Sequence, residues 1–144
     1  MKTHLNLATR DIATSVEFYR TLLAAQPVKQ RQDYALFVTD DPGLELALSL
    51  DRSATASSDV HYGIAVENAG LVDEVARRLQ TAGFPVDVEN DEVCCYARQD
   101  KVWASDPEGR RWETYYVIEE TERRMGEKAC NCPESLCESV GCCR

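Results

Sequence analysis

Two segments of this chain begin in the same way, and that duplication narrows the possible folds more than any other feature. His4-Leu5-Asn6-Leu7-Ala8 and His61-Tyr62-Gly63-Ile64-Ala65 alternate with a period of two. Each therefore places its His, a small or polar residue and an Ala on one strand face. The two histidines stand 57 residues apart, and an amphipathic helix follows each. Asp11 is the expected N-cap of the first helix, whose inner stripe is Ile12, Val16, Tyr19, Leu22 and Leu23. Asn68 is the expected cap of the second, with Val72, Val75, Ala76 and Leu79 inward and Gly83 placed to end it in a left-handed conformation. Asp73 and Glu74 precede Arg77 and Arg78, the charge order that suits the helix dipole.

The duplication continues past the helices. Both lead into a Pro-Val pair, Pro27-Val28 and Pro85-Val86, and both halves close on an Asp-Pro turn followed by a strand. Those turns are Asp41-Pro42-Gly43 before residues 44–50 and Asp106-Pro107-Glu108-Gly109 before residues 111–118. Further strands are expected at residues 34–38, 93–97 and 101–104, with Gln99-Asp100-Lys101 as a connecting turn. Leu44, Leu46, Leu48 and Leu50 share the face expected under a helix, and Glu45, Ala47 and Ser49 share the other. In the last strand Glu113 and Tyr115 oppose Trp112, Thr114 and Tyr116; both faces carry aromatics, so the inward one stays open. The pattern is α+β, with two βαβββ repeats (about residues 1–52 and 59–118) whose sheets form a cup with the helices outside. The second repeat is the longer, and its extra residues fall around Cys94-Cys95. Residues 1–118 form the domain, and 119–144 form a charged linker and a Cys-rich tail.

Composition excludes several classes of function. The chain has 144 residues, 44% of them hydrophobic and 28% charged, and no apolar run nears the roughly 20 residues of a membrane span. A net charge of −9 repels phosphate backbones and anionic lipid, so neither nucleic acid nor a membrane is an expected partner. The opening Met1-Lys2-Thr3-His4-Leu5 enters a strand without the features of a secretory signal, which leads to an expected cytoplasmic location. The seven cysteines are odd in number and absent before Cys94, which argues for thiol chemistry over a disulfide framework.

The chain's two histidines occupy equivalent positions, where pseudo-symmetry would bring them together across the cup. Imidazole ligates Fe, Zn, Ni or Cu, and one added carboxylate makes a facial triad with open positions; Glu113 is the natural third ligand. Counted from its own Asp-Pro turn, the first repeat has Ala47 in the place of Glu113, with only Glu45 nearby. Three ligands, His4, His61 and Glu113, suit Fe(II) and O2 chemistry better than a fully coordinated Lewis-acid isomerase.

These residues resemble the vicinal-oxygen-chelate superfamily of glyoxalases, bleomycin-resistance proteins and extradiol dioxygenases over residues 1 to about 118. Asn6-Leu7 with Asp11 and Phe18-Tyr19, then Cys94-Cys95-Tyr96-Ala97, Gln99-Asp100-Lys101-Val102-Trp103 and Arg111-Trp112-Glu113, are most similar to the organoarsenical carbon–arsenic lyases and their cadmium-induced relatives. The resemblance implies Fe(II)- and O2-dependent cleavage of the carbon–arsenic bond of a trivalent organoarsenical, a demethylation of methylarsenite to arsenite. Cys94 and Cys95 would hold the arsenic through two As–S bonds. Adjacent strand residues point to opposite faces, so the thiols converge only if the pair lies in a turn or bulge, and the preceding Glu89-Asn90-Asp91-Glu92 favours a loop. In the tail, Cys130, Cys132, Cys137, Cys142 and Cys143 lack zinc-ribbon spacing; soft-ion capture and a tail without a role in turnover both stay open. Two other functions also stay open: a cadmium or soft-metal sequestration protein, and an extradiol-dioxygenase- or glyoxalase-like enzyme. Either a monomer or a homodimer is compatible with the sequence.

Overall fold

The computed structural model describes residues 1–57 and 60–122. The chain runs β1 (Thr3–Thr9), α1 (Ile12–Leu23), β2 (Lys29–Gln30), β3 (Tyr34–Thr39), β4 (Leu44–Leu50), β5 (His61–Ala65), α2 (Ala69–Thr81), β6 (Val86–Cys94), β7 (Ala97–Ser105) and β8 (Arg111–Glu120). Both expected caps form, with Asp11 Oδ1 accepting from Thr14 N at 2.8 Å and Asn68 Oδ1 from Leu71 N at 3.2 Å. Gly83 takes a φ of 86°, and its neighbour Phe84 N donates to Leu79 O at 3.0 Å, which satisfies a last-turn carbonyl.

The repeats build two four-stranded mixed sheets of the same order, β1-β4-β3-β2 and β5-β8-β7-β6. In each, the opening strand pairs parallel with the closing one, and the other pairs are antiparallel. This is the expected α+β pair of βαβββ units. The placement of the helices differs from expectation. α1 and α2 pack on each other as well as on their own sheets. One core joins Leu7, Phe37, Leu46 and Leu48 of the first sheet to Val102, Ala104 and Trp112 of the second. The helices thus share an interior between the sheets, and each sheet turns its histidine-bearing face away from that core. α1 is buried on more than its expected stripe. Phe18 is fully buried and meets Phe84 edge-on at 5.3 Å, while Tyr19 meets Trp112 of the second sheet at 5.7 Å.

A polar cluster seals the same seam. Asp106 accepts from Tyr19 Oη at 2.7 Å and from Arg110 Nη1 at 2.9 Å. Glu108 accepts from Thr9 Oγ1 and from Arg10 N, each at 2.9 Å. Burial, then the charge of Asp106, pushes the Tyr19 phenol well above its ordinary range, so it stays a neutral donor.

Three local expectations are corrected. Leu50 lies 36% exposed at the end of β4, beyond the cover that buries Leu44, Leu46 and Leu48. Gln99-Asp100-Lys101 is inside β7, not a turn, because β7 pairs on both sides along this stretch. Glu89-Asn90-Asp91-Glu92 lies within β6 as a bulged strand and not as a loop; the connection falls later, at Cys95-Tyr96. Cys130, Cys132, Cys137, Cys142 and Cys143 lie outside the described residues.

Candidate metal centre and thiol pair

Pairing across β5 and β8 places Gly63 beside Glu113 and His61 beside Arg111. Trp112 and Thr114 are buried, which settles the face of β8 that was open: Arg111, Glu113 and Tyr115 share the outward face with His61. There His61 Nε2 stands 3.5 Å from Glu113 Oε1, with the imidazole 57% and the carboxylate 15% exposed. Gly63 makes this approach possible. A Cβ at that position would lie 3.2 Å from Glu113 Oε1 and 3.1 Å from Tyr115 Cε1.

The neighbouring strands wall the pair. Trp103 of β7 meets the His61 ring edge-on at 5.4 Å, and the Arg111 guanidinium lies 4.0 Å over its indole. Glu89 accepts from Trp103 Nε1 at 3.2 Å and pairs with Lys101 Nζ at 3.3 Å. Lys101 is buried on this face although it is charged, which is tolerable because Glu89 neutralises it.

The first sheet repeats the frame with fewer groups. His4 Nδ1 lies 3.6 Å from Glu45 Oε2, its neighbour in register. Asn6 pairs with Ala47 where Gly63 pairs with Glu113, so Ala47 is the structural equivalent of Glu113. His4 and the His61–Glu113 pair are not brought together within the chain: among the described residues no three His, Cys, Asp or Glu side chains form a group able to hold a metal ion.

β6 and β7 join through a two-residue hairpin turn. Cys94 pairs with Ala97, while Cys95 and Tyr96 have φ of 56° and 67°. Positive φ at both central positions is the primed geometry that matches strand twist. It breaks the alternation of side chains, and the two sulfurs converge to 3.0 Å. Burial first, then the hydrogen bond with Cys95, pushes the Cys94 thiol above its ordinary range, and the Lys101 ammonium opposes the shift. Glu113 also acts on Cys94 electrostatically, in keeping with a strand pairing that puts Cys94 on the side of Glu89, Lys101 and Trp103.

Residues 3–114 match the family described as the glyoxalase/bleomycin resistance protein/dioxygenase superfamily. The chain belongs to that superfamily. A protein named trivalent organoarsenical cleaving enzyme from Thermomonospora curvata is 37% identical to this chain over 134 residues, covering 92% of this chain and 89% of the relative. A protein of the same name from a Bacillus species is 35% identical over 97% of this chain and 88% of its own length. The cadmium-induced protein CadI of Mycobacterium tuberculosis is 36% identical over 84% and 79%. Among solved structures, a glyoxalase/bleomycin resistance protein/dioxygenase from Alicyclobacillus acidocaldarius superposes with a TM-score of 0.65 at 21% identity, covering 83% of this chain and 92% of its own. The fosfomycin resistance protein FosX of Listeria monocytogenes also gives 0.65, at 17% identity over 81% and 92%. These two likenesses speak for the superfamily fold. Within it, His61, Glu113 and both thiols are legible in the sequence, whereas Glu89 and the part played by Gly63 are not. Their signals were a carboxylate and a missing side chain, which mean nothing until the register is known. Among the described residues no helix is long and apolar enough to cross a membrane.

Proposed function

We propose that this protein cleaves the carbon–arsenic bond of trivalent organoarsenicals in the cytoplasm, with Fe(II) as cofactor and O2 as co-substrate. The observation that carries the reading is the convergence of two thiols to 3.0 Å at the end of the sheet face that holds His61 and Glu113. The relatives named for organoarsenical cleavage support it.

The donor set fits the metal. Neutral imidazole with one carboxylate is the mixed set expected of a non-haem iron site, and a 3.5 Å separation is one that metal–donor bonds of about 2 Å can span. His61, Glu113 and His4 would hold the ion. Because both sheets turn these faces outward, His4 joins the other two where the first sheet of one copy meets the second sheet of another, so the reading favours a homodimer. Fe(II), when bound, supplies activation of O2.

The chain's own residues would then capture and orient substrate. The Cys94 and Cys95 thiols displace two hydroxyls from trivalent arsenic, forming two As–S bonds and releasing two waters. Both As–S bonds then tether the organic group beside the His61–Glu113 face, a gain in proximity that a freely diffusing arsenical lacks. Glu89 holds Lys101 and the Trp103 indole in place, and Trp103 in turn fixes the imidazole edge of His61.

The test is anaerobic loading with Fe(II), then exposure to air and a trivalent methylarsenical, with arsenite release as readout. Release that requires iron, O2 and both thiols is expected, and a Cys94→Ser/Cys95→Ser variant should release none. No release from the iron-loaded intact protein would reject the lyase. The similarity to CadI favours one other reading, soft-metal sequestration; it predicts tight cadmium binding through the thiols that is indifferent to Glu113→Gln.

A further inference from the structure

β6 holds one residue more than the stretch of β7 it faces. Glu89 pairs with Lys101 and Glu92 with Gln99, so Asn90 and Asp91 together face Asp100. This is a β-bulge, with Asp91 at a φ of 57°. Were β6 regular beyond Glu89, Asp91 would face Gln99 and Val93 would face Ala97. Cys94, Cys95 and Tyr96 would then form a three-residue loop. With the bulge in place, Cys94 is the last paired residue, on the side of Glu89 and Trp103, and only Cys95 and Tyr96 make the turn.

The bulge is clamped. Arg98 pairs with Asp91, and its Nε donates to Glu119 Oε1 at 2.9 Å. The Asp91 amide donates to Asp100 Oδ1 at 2.8 Å. β8 is irregular at the same level, since Arg98 pairs with Glu119 and Gln99 with Val117. A single guanidinium therefore ties together the irregular stretches of the two strands that flank β7. Asp91, Cys95 and Tyr96 all occupy left-handed backbone that non-glycine residues adopt at a cost, which the clamp would offset.

We infer that Asp91 and Arg98 are positioning residues, and that the bulge they hold sets the hairpin register on which arsenical capture by Cys94 and Cys95 depends. This rests on the reading of that pair as the substrate's arsenic ligands. Neither residue touches the reacting groups; both act through the strand.

The experiment uses the full chain with Cys130, Cys132, Cys137, Cys142 and Cys143 changed to Ser, so that Cys94 and Cys95 form its sole dithiol. Two readouts are taken: affinity for phenylarsine oxide in competition with a small dithiol, and the cross-strand amide–amide contact between Cys94 and Ala97 by NMR. Asp91→Val disfavours left-handed backbone and removes the partner of Arg98; it should lose the amide contact and weaken capture at least about tenfold. Asp91→Asn, which tolerates that backbone and keeps an acceptor, should retain both. Deletion of Asp91 should also retain both, because the surplus residue is gone and Cys94 still meets Ala97. A destabilising lesion or a chemical role for the carboxylate predicts the opposite for the deletion. An amide contact that survives Asp91→Val, or is lost on deletion, overturns the inference. A parent protein that shows the contact but does not bind phenylarsine oxide instead overturns the thiol reading, and the effect of Asp91 on register is then judged by NMR alone.

Discussion

The two sheets share strand order and helix cover, yet their outward faces differ. The first offers His4, Asn6, Glu45, Ala47 and Ser49, and its edge strand β2 has two residues. The second offers His61, Gly63, Glu113, Tyr115 and Trp103, and its edge strand β6 has nine, ending at Cys94. The two halves are alike in strand order and helix cover, and differ where they face out. The residues that bury Leu46, Leu48 and Phe37 in one half and Val102 and Trp112 in the other serve one core. A carboxylate, a glycine beside it and a longer edge strand set the outward face of the second sheet apart from that of the first, which carries Ala47 and Asn6 at the matching places.

The sharpest break in that comparison is chemical. Glu113→Gln should lower iron-dependent arsenite release on the order of a hundredfold or more, whereas Glu45→Gln in the first sheet should change it only a few-fold. Equal losses in the two variants, measured at saturating Fe(II), would mean that both carboxylates ligate and that Ala47 is no guide to the first half.

Stability should follow the same asymmetry at the Asp-Pro turns. Asp106 is 4% exposed and accepts from Tyr19 and Arg110. Asp106→Ala removes the nearer of the two carboxylates that pair with buried Arg110, leaving Glu108 Oε2 at 3.6 Å, and strips the Tyr19 hydroxyl of its acceptor, at a cost of about 3 kcal/mol. Asp41, its exposed counterpart, should cost no more than about 0.5 kcal/mol when changed to Ala. Urea denaturation of both variants checks the pair, and a comparable loss at Asp41 would refute the assignment of the seam to the second repeat.

A smaller effect is expected at Gly63. Gly63→Ala crowds Glu113 and Tyr115 and should weaken metal affinity about tenfold, as read by chelator competition, with little change in the melting temperature of the metal-free protein. Asn6 occupies the same place in the first sheet and already carries a side chain, so Asn6→Ala should leave affinity within a few-fold.

The smallest difference lies at the helix caps. The backbone hydrogen bond from Thr14 holds the Asp11 carboxyl below the ordinary aspartate range. A depressed folded value stabilises the protein above the unfolded aspartate range, and that contribution is lost as pH falls through the folded value. Acidification should therefore raise hydrogen exchange at the Thr14 amide and spare the Leu71 amide, whose cap, Asn68, does not titrate. Parallel changes at both amides would point to global loosening instead.

Much of this was legible in one dimension. Period-two alternation marks β1, β4, β5 and β8, helical periodicity and caps mark α1 and α2, equivalent repeat positions single out His4 and His61, and Glu113 stands out as the carboxylate that completes a triad with them. These signals are local or arise from comparing the chain with itself, so they need no knowledge of packing. The adjacency of Cys94 and Cys95 was equally visible, together with the condition that a turn must break the strand for them to meet.

Tertiary structure decided the rest. Which face of β8 points outward depends on Trp112 finding Tyr19 across the seam, 93 residues away, and no alternation within the strand encodes that choice. The turn lies at Cys95-Tyr96 and not at Glu89 to Glu92, and it follows a bulge whose partners lie on β7 and β8. Phe18, buried on the flank of α1 beside Leu22, widens the packed face of that helix and reaches Phe84, so that α1 packs on α2 as well as on its own sheet. Sequence alone determined which groups are available and which strand or helix carries each. Their grouping followed from register and from the sharing of one core, because both depend on contacts between residues far apart in the chain.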